Sequence, residues 1–262
     1  MTYLIIALAA MSASALTLFS GFGLGTLLLP VFALFVPVEM AVAATAIVHG
    51  ANNVLKIVLL GKYADWKIVF RFGLPAMVAA FIGAAFLGMF AALPPLLEYS
   101  LLGKAEQITP VKLLLGILIL GFAFFELLPR FQHLKFKPRY LPLGGLLSGF
   151  FGGLSGHQGA LRSAFLAKTD MTAPAFVGTN AVIGLLVDAS RLLVYGAVLF
   201  SAKTHFIAGK QEVLLILTGI VAAFSGVVLG KRYLHKMTMR VIQYITGVLL
   251  LLIGTLLSLG LV

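Results

Sequence analysis

The stretch GFFGGLSGHQGALRSAF (149–165) sets five glycines, a histidine, a glutamine and an arginine inside an otherwise apolar run. Its reading decides the fold, because 141–167 is either one interrupted crossing of a bilayer or a hairpin that dips in and returns. The surrounding chain fixes the solvent. Of 262 residues, 61% are hydrophobic and 10% charged, and mean hydropathy is +1.11, far more apolar than a water-soluble domain. Uncharged runs at 1–38, 72–97, 140–161, 213–230 and 241–262 supply the ~20 apolar residues that a helix needs to cross. Barrel strands would alternate apolar and polar over ~10 residues, and these Ala- and Leu-rich runs do not. The predicted class is an all-α, multi-pass membrane protein without room for a soluble catalytic domain.

The formal charge of +11 does not point to nucleic acid, since the Lys and Arg lie between hydrophobic runs and report topology. The expected partners are the lipid bilayer and a small anionic solute, with no nucleic acid, and the oligomeric state is left open. The chain has no cysteine, which removes disulfides, thiolate metal sites and cysteine nucleophiles. No HExxH or GxSxG motif occurs, no histidine cluster has ligand spacing, and Ser155 with His157 lacks a third orienting group. Neither an enzyme, a metal site nor a cofactor is expected. The first 19 residues have an apolar core without a basic n-region, so they read as retained and not as a cleaved leader.

The chain reads as a duplication. SGFGLGTLLLP from Ser20 answers LSGHQGALRSAF from Leu154, NVLKIVLLG from Asn53 answers DASRLLVYG from Asp188, and AAFIGAAFLG from Ala79 answers AAFSGVVLG from Ala222. GILILG from Gly116 then resembles GVLLLLIG from Gly247. The predicted organisation is a first repeat at 1–128, a basic cytoplasmic linker at 129–140 and a second repeat at 141–262. Charge counting tests how the repeats face. Eight crossings divide the loop Lys and Arg nine to seven, whereas treating 3–36 and 141–167 as re-entrant hairpins places twelve on one face and four on the other. The second arrangement obeys the positive-inside rule much better, and it makes the repeats inverted, each with three crossings and a glycine-broken helix pair. The arms of the second hairpin, taken as 141–151 and 157–167, would be ~16 Å long, too short to span ~30 Å.

Broken backbone at membrane depth needs protein or a water-filled cavity to satisfy it. Helices restarting at about Thr26 and Gly159 would aim free N–H groups at the breaks, an environment that favours anions. The candidate solute-binding set is Gly21, Gly23, Gly25, His49, Asn52, Asn53, Lys56, His157, Gln158, Gly159, Arg162, Asn180, Asp188 and Arg191. Its charged members carry the argument, because ionisable groups inside a bilayer are costly and functional by default. Lys56 and Arg191 are repeat equivalents, and Asp188, three residues before Arg191, can neutralise it. His49, Asn52, Asn53 and Lys56 form a polar stripe at helical spacing. His157 or His49 is a candidate for coupling to protons, with a proton or cation as co-substrate.

Several blocks in one order, GFGLGTLLLP, AVAATAIVHGANNVLK, GKYADWKIVFRFGLPAMVAAFIGAAFLG and GVVLGKRYLHKMTMRVIQYITGVLLLLIG, resemble the TauE/SafE family of sulfite and organosulfonate exporters over essentially the whole chain. That resemblance implies a secondary transporter, exporting a small sulfur-containing oxyanion from a cell, with the inner membrane of a bacterium as its location. Members repeat a GxGGG-like sequence and a proline in both halves. Here the second break reads SGHQG (155–159) with Phe165 near the proline position, a departure that marks a subgroup. The alternatives are an anion channel, a transporter of another small organic anion, and a structural or assembly protein of the membrane.

Overall fold

The computed structural model describes residues 1–18, 24–101, 103–128, 136–201, 209–233 and 239–262. In the first half the chain forms α1 (Thr2–Thr17), α2 (Leu24–Ala33), α3 (Val38–Leu60), α4 (Trp66–Ala91), β1 (Leu97–Leu101), β2 (Lys104–Ile108) and α5 (Pro110–Leu127). The second half forms α6 (Leu141–Ser155), α7 (Gly159–Leu166), α8 (Ala173–Ser201), α9 (Lys210–Tyr233) and α10 (Met239–Ser258). Local chemistry sets several boundaries. Asp65 caps α4, its carboxylate accepting from the N–H groups of Lys67 at 2.9 Å and Ile68 at 3.2 Å. Thr109 does the same for α5 with Pro110 in the first turn. Within α4 a π-helical turn over Val69–Gly73 precedes Pro75, where the missing N–H interrupts the ladder.

Among the described residues five helices are long and apolar enough to cross a membrane, namely α3, α4, α5, α8 and α9, and α10 has 20 residues. The four helices beside the breaks are shorter: α1 has 16 residues, α2 10, α6 15 and α7 8. At 1.5 Å per residue the longest of these is about 24 Å, below the ~30 Å hydrocarbon core. The second break is real. Helix α6 stops at Ser155, Gly156 adopts φ +81° and donates to the Gly152 carbonyl, and α7 starts at Gly159.

The arms of that hairpin run antiparallel. Ser148 Oγ donates to the Gln158 carbonyl at 3.0 Å, the Phe165 ring lies against Gly144, and the Phe136 N–H donates to the Ala164 carbonyl at 3.2 Å. The end of α7 therefore sits beside the start of α6. Arms of 141–155 and 159–166 replace the expected 141–151 and 157–167. After the first break the helix resumes at Leu24 instead of Thr26, and Gly21 and Gly23 lie outside the described residues.

The halves interlock by exchange. Helix α1 packs on α9 and α6 on α4, while α3 packs on α8 and α5 on α10. In the α4–α6 seam a Cβ on Gly145, Gly149 or Gly153 would strike the carbonyl oxygen of Phe72, Ala76 or Ala80, so backbone meets backbone at a four-residue period. Gly50 abuts Asp188, Gly184 abuts Asn53 and Gly178 abuts Leu60, which makes α3 and α8 antiparallel. Two hydrophobic clusters result. The larger joins α1–α3, α5, α9 and α10, and the smaller packs Ile68, Val69, Phe72, Leu141, Leu166 and Ile183 at the end where α4 and α6 begin. The sequence reading did not foresee the antiparallel β1–β2 hairpin. Its Tyr99 hydroxyl donates to the Leu259 carbonyl just past α10, and Lys112 Nζ of α5 donates to the Gly260 carbonyl.

Candidate functional site

The polar stripe of α3 faces α8, and the two are joined at Asp188. His49 Nδ1 lies 2.6 Å from Asp188 Oδ2, and Asn53 Nδ2 donates to the same oxygen at 3.1 Å. Arg191 donates to Oδ1 through Nε at 3.1 Å and Nη2 at 2.7 Å. Four donors thus saturate a carboxylate that is fully buried, the condition under which a buried charge is tolerated. Asn53 and Asp188 are the positions at which the aligned repeat blocks begin, and here they touch. Asn52 points the other way, its Oδ1 accepting from Ser14 Oγ of α1 at 3.1 Å.

The second break supplies the other side of the site. Arg162, on the second turn of α7, donates through Nη1 to Gln158 Oε1 at 3.0 Å, while its Nε has no hydrogen-bond partner among the described residues. Gln158 Nε2, His157 Nε2 and Arg191 Nη1 are likewise buried without partners there. A Cβ on Gly156 would come within 2.8 Å of Arg191 Nη1, so the guanidinium is laid directly against the turn. Gly25 of α2 faces the Gly156 carbonyl across 3.4 Å measured from where its Cβ would stand. The first turn of α2 and the second break therefore meet. His157 turns aside, with Nδ1 3.1 Å from both the Ser155 carbonyl and Ser155 Oγ and its ring stacked on Phe122 at 5.2 Å.

Between these elements lies a cavity of about 20 Å³ lined by Thr17, His49, Asn53, Lys56, Arg162 and Asn180 with four apolar neighbours. That volume suits one water. Lys56 and Arg162 are 7% and 2% exposed, and no carboxylate is among the described residues that line the space. Asn180 spends its amide N–H on the Phe176 carbonyl at 2.9 Å, and its Oδ1 has no partner among the described residues.

Of the expected residues, His49, Asn53, Lys56, Arg162 and Asn180 share this cavity, and Asp188 and Arg191 lie one step behind it. Arg191 is ion-paired to its helix neighbour, so its charge is offset. Gln158 and Gly159 stand at the start of α7, whereas His157 and Asn52 do not line the cavity. Sequence reasoning missed Gly156 as the left-handed residue and Thr17 as a lining group. The signal for Gly156 was its place between two helix-forming stretches. Thr17 immediately precedes the glycine-rich first break.

A bundle of apolar helices with a broken hairpin, whose described buried residues include more Lys and Arg than carboxylates, defines an integral membrane protein built to handle a solute. The family model described as sulfite exporter TauE/SafE matches residues 6–257, and the chain belongs to that family, whose members are membrane transporters. No curated protein matches the chain.

Proposed function

We propose that the protein is a secondary transporter that exports a small sulfur-containing oxyanion, sulfite or a short organosulfonate, across the inner membrane of a bacterium. The observation that carries this reading is the cavity in which Lys56 and Arg162 face space with no carboxylate among its lining residues. A buried cation costs about 3 kcal/mol or more at the centre of a bilayer, and a passing anion offsets that cost where, as here, no carboxylate is among the described residues lining the cavity. Arg162 suits an oxyanion because a guanidinium donates in a fork. Arg162 Nε and Gln158 Nε2, both without partners among the described residues, supply donors without any rearrangement of the backbone.

Antiparallel packing of the equivalent helices α3 and α8, and the contact between Asn53 and Asp188, support inverted repeats with the site on their axis. A cavity of about 20 Å³ holds water but not sulfite, so passage requires the halves to part. That favours a carrier over a continuous channel.

The test is sulfite flux in vesicles containing purified protein. Saturable efflux that falls at least tenfold in Arg162→Ala and Lys56→Ala, with both variants still inserted, is the expected result. Undiminished flux in both would overturn the site, and a large electrical conductance would replace the carrier with a channel.

A further inference from the structure

The ionisable groups lining the cavity are His49, Lys56 and Arg162. Of these side-chain types, imidazole is the one whose ordinary titration lies between about pH 5 and 8. Its setting suits that change. Nδ1 is held 2.6 Å from Asp188 Oδ2, which fixes the ring across the junction of the two halves and leaves Nε2 to take a second proton.

The charges facing His49 come from three elements. Asp188 and Arg191 of α8 are ion-paired with each other, Arg162 comes from α7, and Lys56 lies two turns along His49's own helix. Helices α1 and α2 contain no charged residue, and those of α9, Lys210, Glu212, Lys231 and Arg232, are confined to its ends. With Asp188 offsetting Arg191, the empty cavity presents two positive charges. A third, on the imidazole, repels both unless an anion is present. Anion and proton therefore favour each other's binding.

We propose that His49 is the proton site of this transporter: binding of the anion takes up one proton on the His49 imidazole. The inference rests on the anion site proposed above and chooses His49 over His157, whose ring is stacked on Phe122 and outside the cavity.

Sulfite is the probe, with affinity measured by calorimetry on purified protein at pH 6, 7 and 8 for wild type and His49→Gln. Sulfite's own titration is common to both proteins and cancels in the ratio of their Kd values. The variant is expected to bind at least about tenfold more weakly at pH 6, with the ratio falling at each step and still falling at pH 8. A ratio constant across the range overturns the proton site while leaving the anion site standing. Absence of sulfite binding by wild type at every pH removes the anion site itself and the proton linkage with it. Should His49→Gln fail to fold, wild type titrated at pH 8 in two buffers of unlike ionisation enthalpy decides the matter. Free sulfite is then mainly the dianion, and net uptake of about one proton supports the proposal while none overturns it.

Discussion

At the scale of single residues, Asp188 holds the interior together by accepting from His49, Asn53 and Arg191. Removing it strands a guanidinium in a dry setting. Breaking a buried pair costs about 3–5 kcal/mol, whereas replacing both partners with apolar groups is often neutral. Asp188→Leu should therefore lower the thermal unfolding temperature in detergent markedly, and adding Arg191→Met should restore much of the loss. A double variant no more stable than the single one would show that Asp188 acts chiefly through His49 and Asn53. Gly156 is the second residue on which the site depends. At φ +81° any L side chain pays about 1–2 kcal/mol, and here the new Cβ would also meet Arg191 Nη1 at 2.8 Å. Gly156→Ala should destabilise the protein by at least that amount and shift Arg191, read as a lower unfolding temperature together with weaker sulfite binding.

At the scale of elements, the α4–α6 seam decides whether the second hairpin can sit where it does. Gly145, Gly149 and Gly153 let α6 lie on the carbonyls of Phe72, Ala76 and Ala80, a contact that excludes even a methyl group. Gly149→Val should prevent accumulation of folded protein. Leu146→Val, on the outward face of the same helix where the side chain is exposed, should leave the yield and the size-exclusion profile unchanged. Equal behaviour of the two would mean the seam is not a tight contact. This layer of structure was partly legible in the sequence. The glycine spacing announced a break and close packing, and the charges of Lys56, Arg162 and Arg191 announced an interior site, because such residues have no other use for a bilayer. What the sequence could not reveal was which glycine turns left-handed and which merely packs, since Gly149 and Gly156 look alike without a neighbour. Nor could it place His49 against Asp188, a contact across 139 positions, or foresee β1–β2, whose exposed strands carry no strong alternation.

At the scale of the whole molecule, exchange packing ties each half to the other, α1 to α9 and α6 to α4. Neither half keeps its broken hairpin covered alone. The end where α4 and α6 begin and α7 finishes carries Lys62, Lys67, Arg71, Lys137, Arg139 and Lys168, while the opposite end of α4 leads to β1–β2 with Glu98 and Glu106. The positive-inside rule predicts that the first end is cytoplasmic. The absence of native cysteine gives a direct way to test this, because a single introduced thiol reports its own side of the membrane. Arg139→Cys and Lys168→Cys flank the second hairpin at exposed positions, and Glu98→Cys lies on the exposed β1. A membrane-impermeant maleimide added to intact cells should label Glu98→Cys alone, and inverted vesicles should expose Arg139→Cys and Lys168→Cys together. If residues 139 and 168 label from opposite sides, 141–167 crosses the bilayer and the two-fold relation between the halves is lost. The cations of the interior would then lie on one continuous route instead of at a shared midpoint, and the carrier reading would give way to a pore.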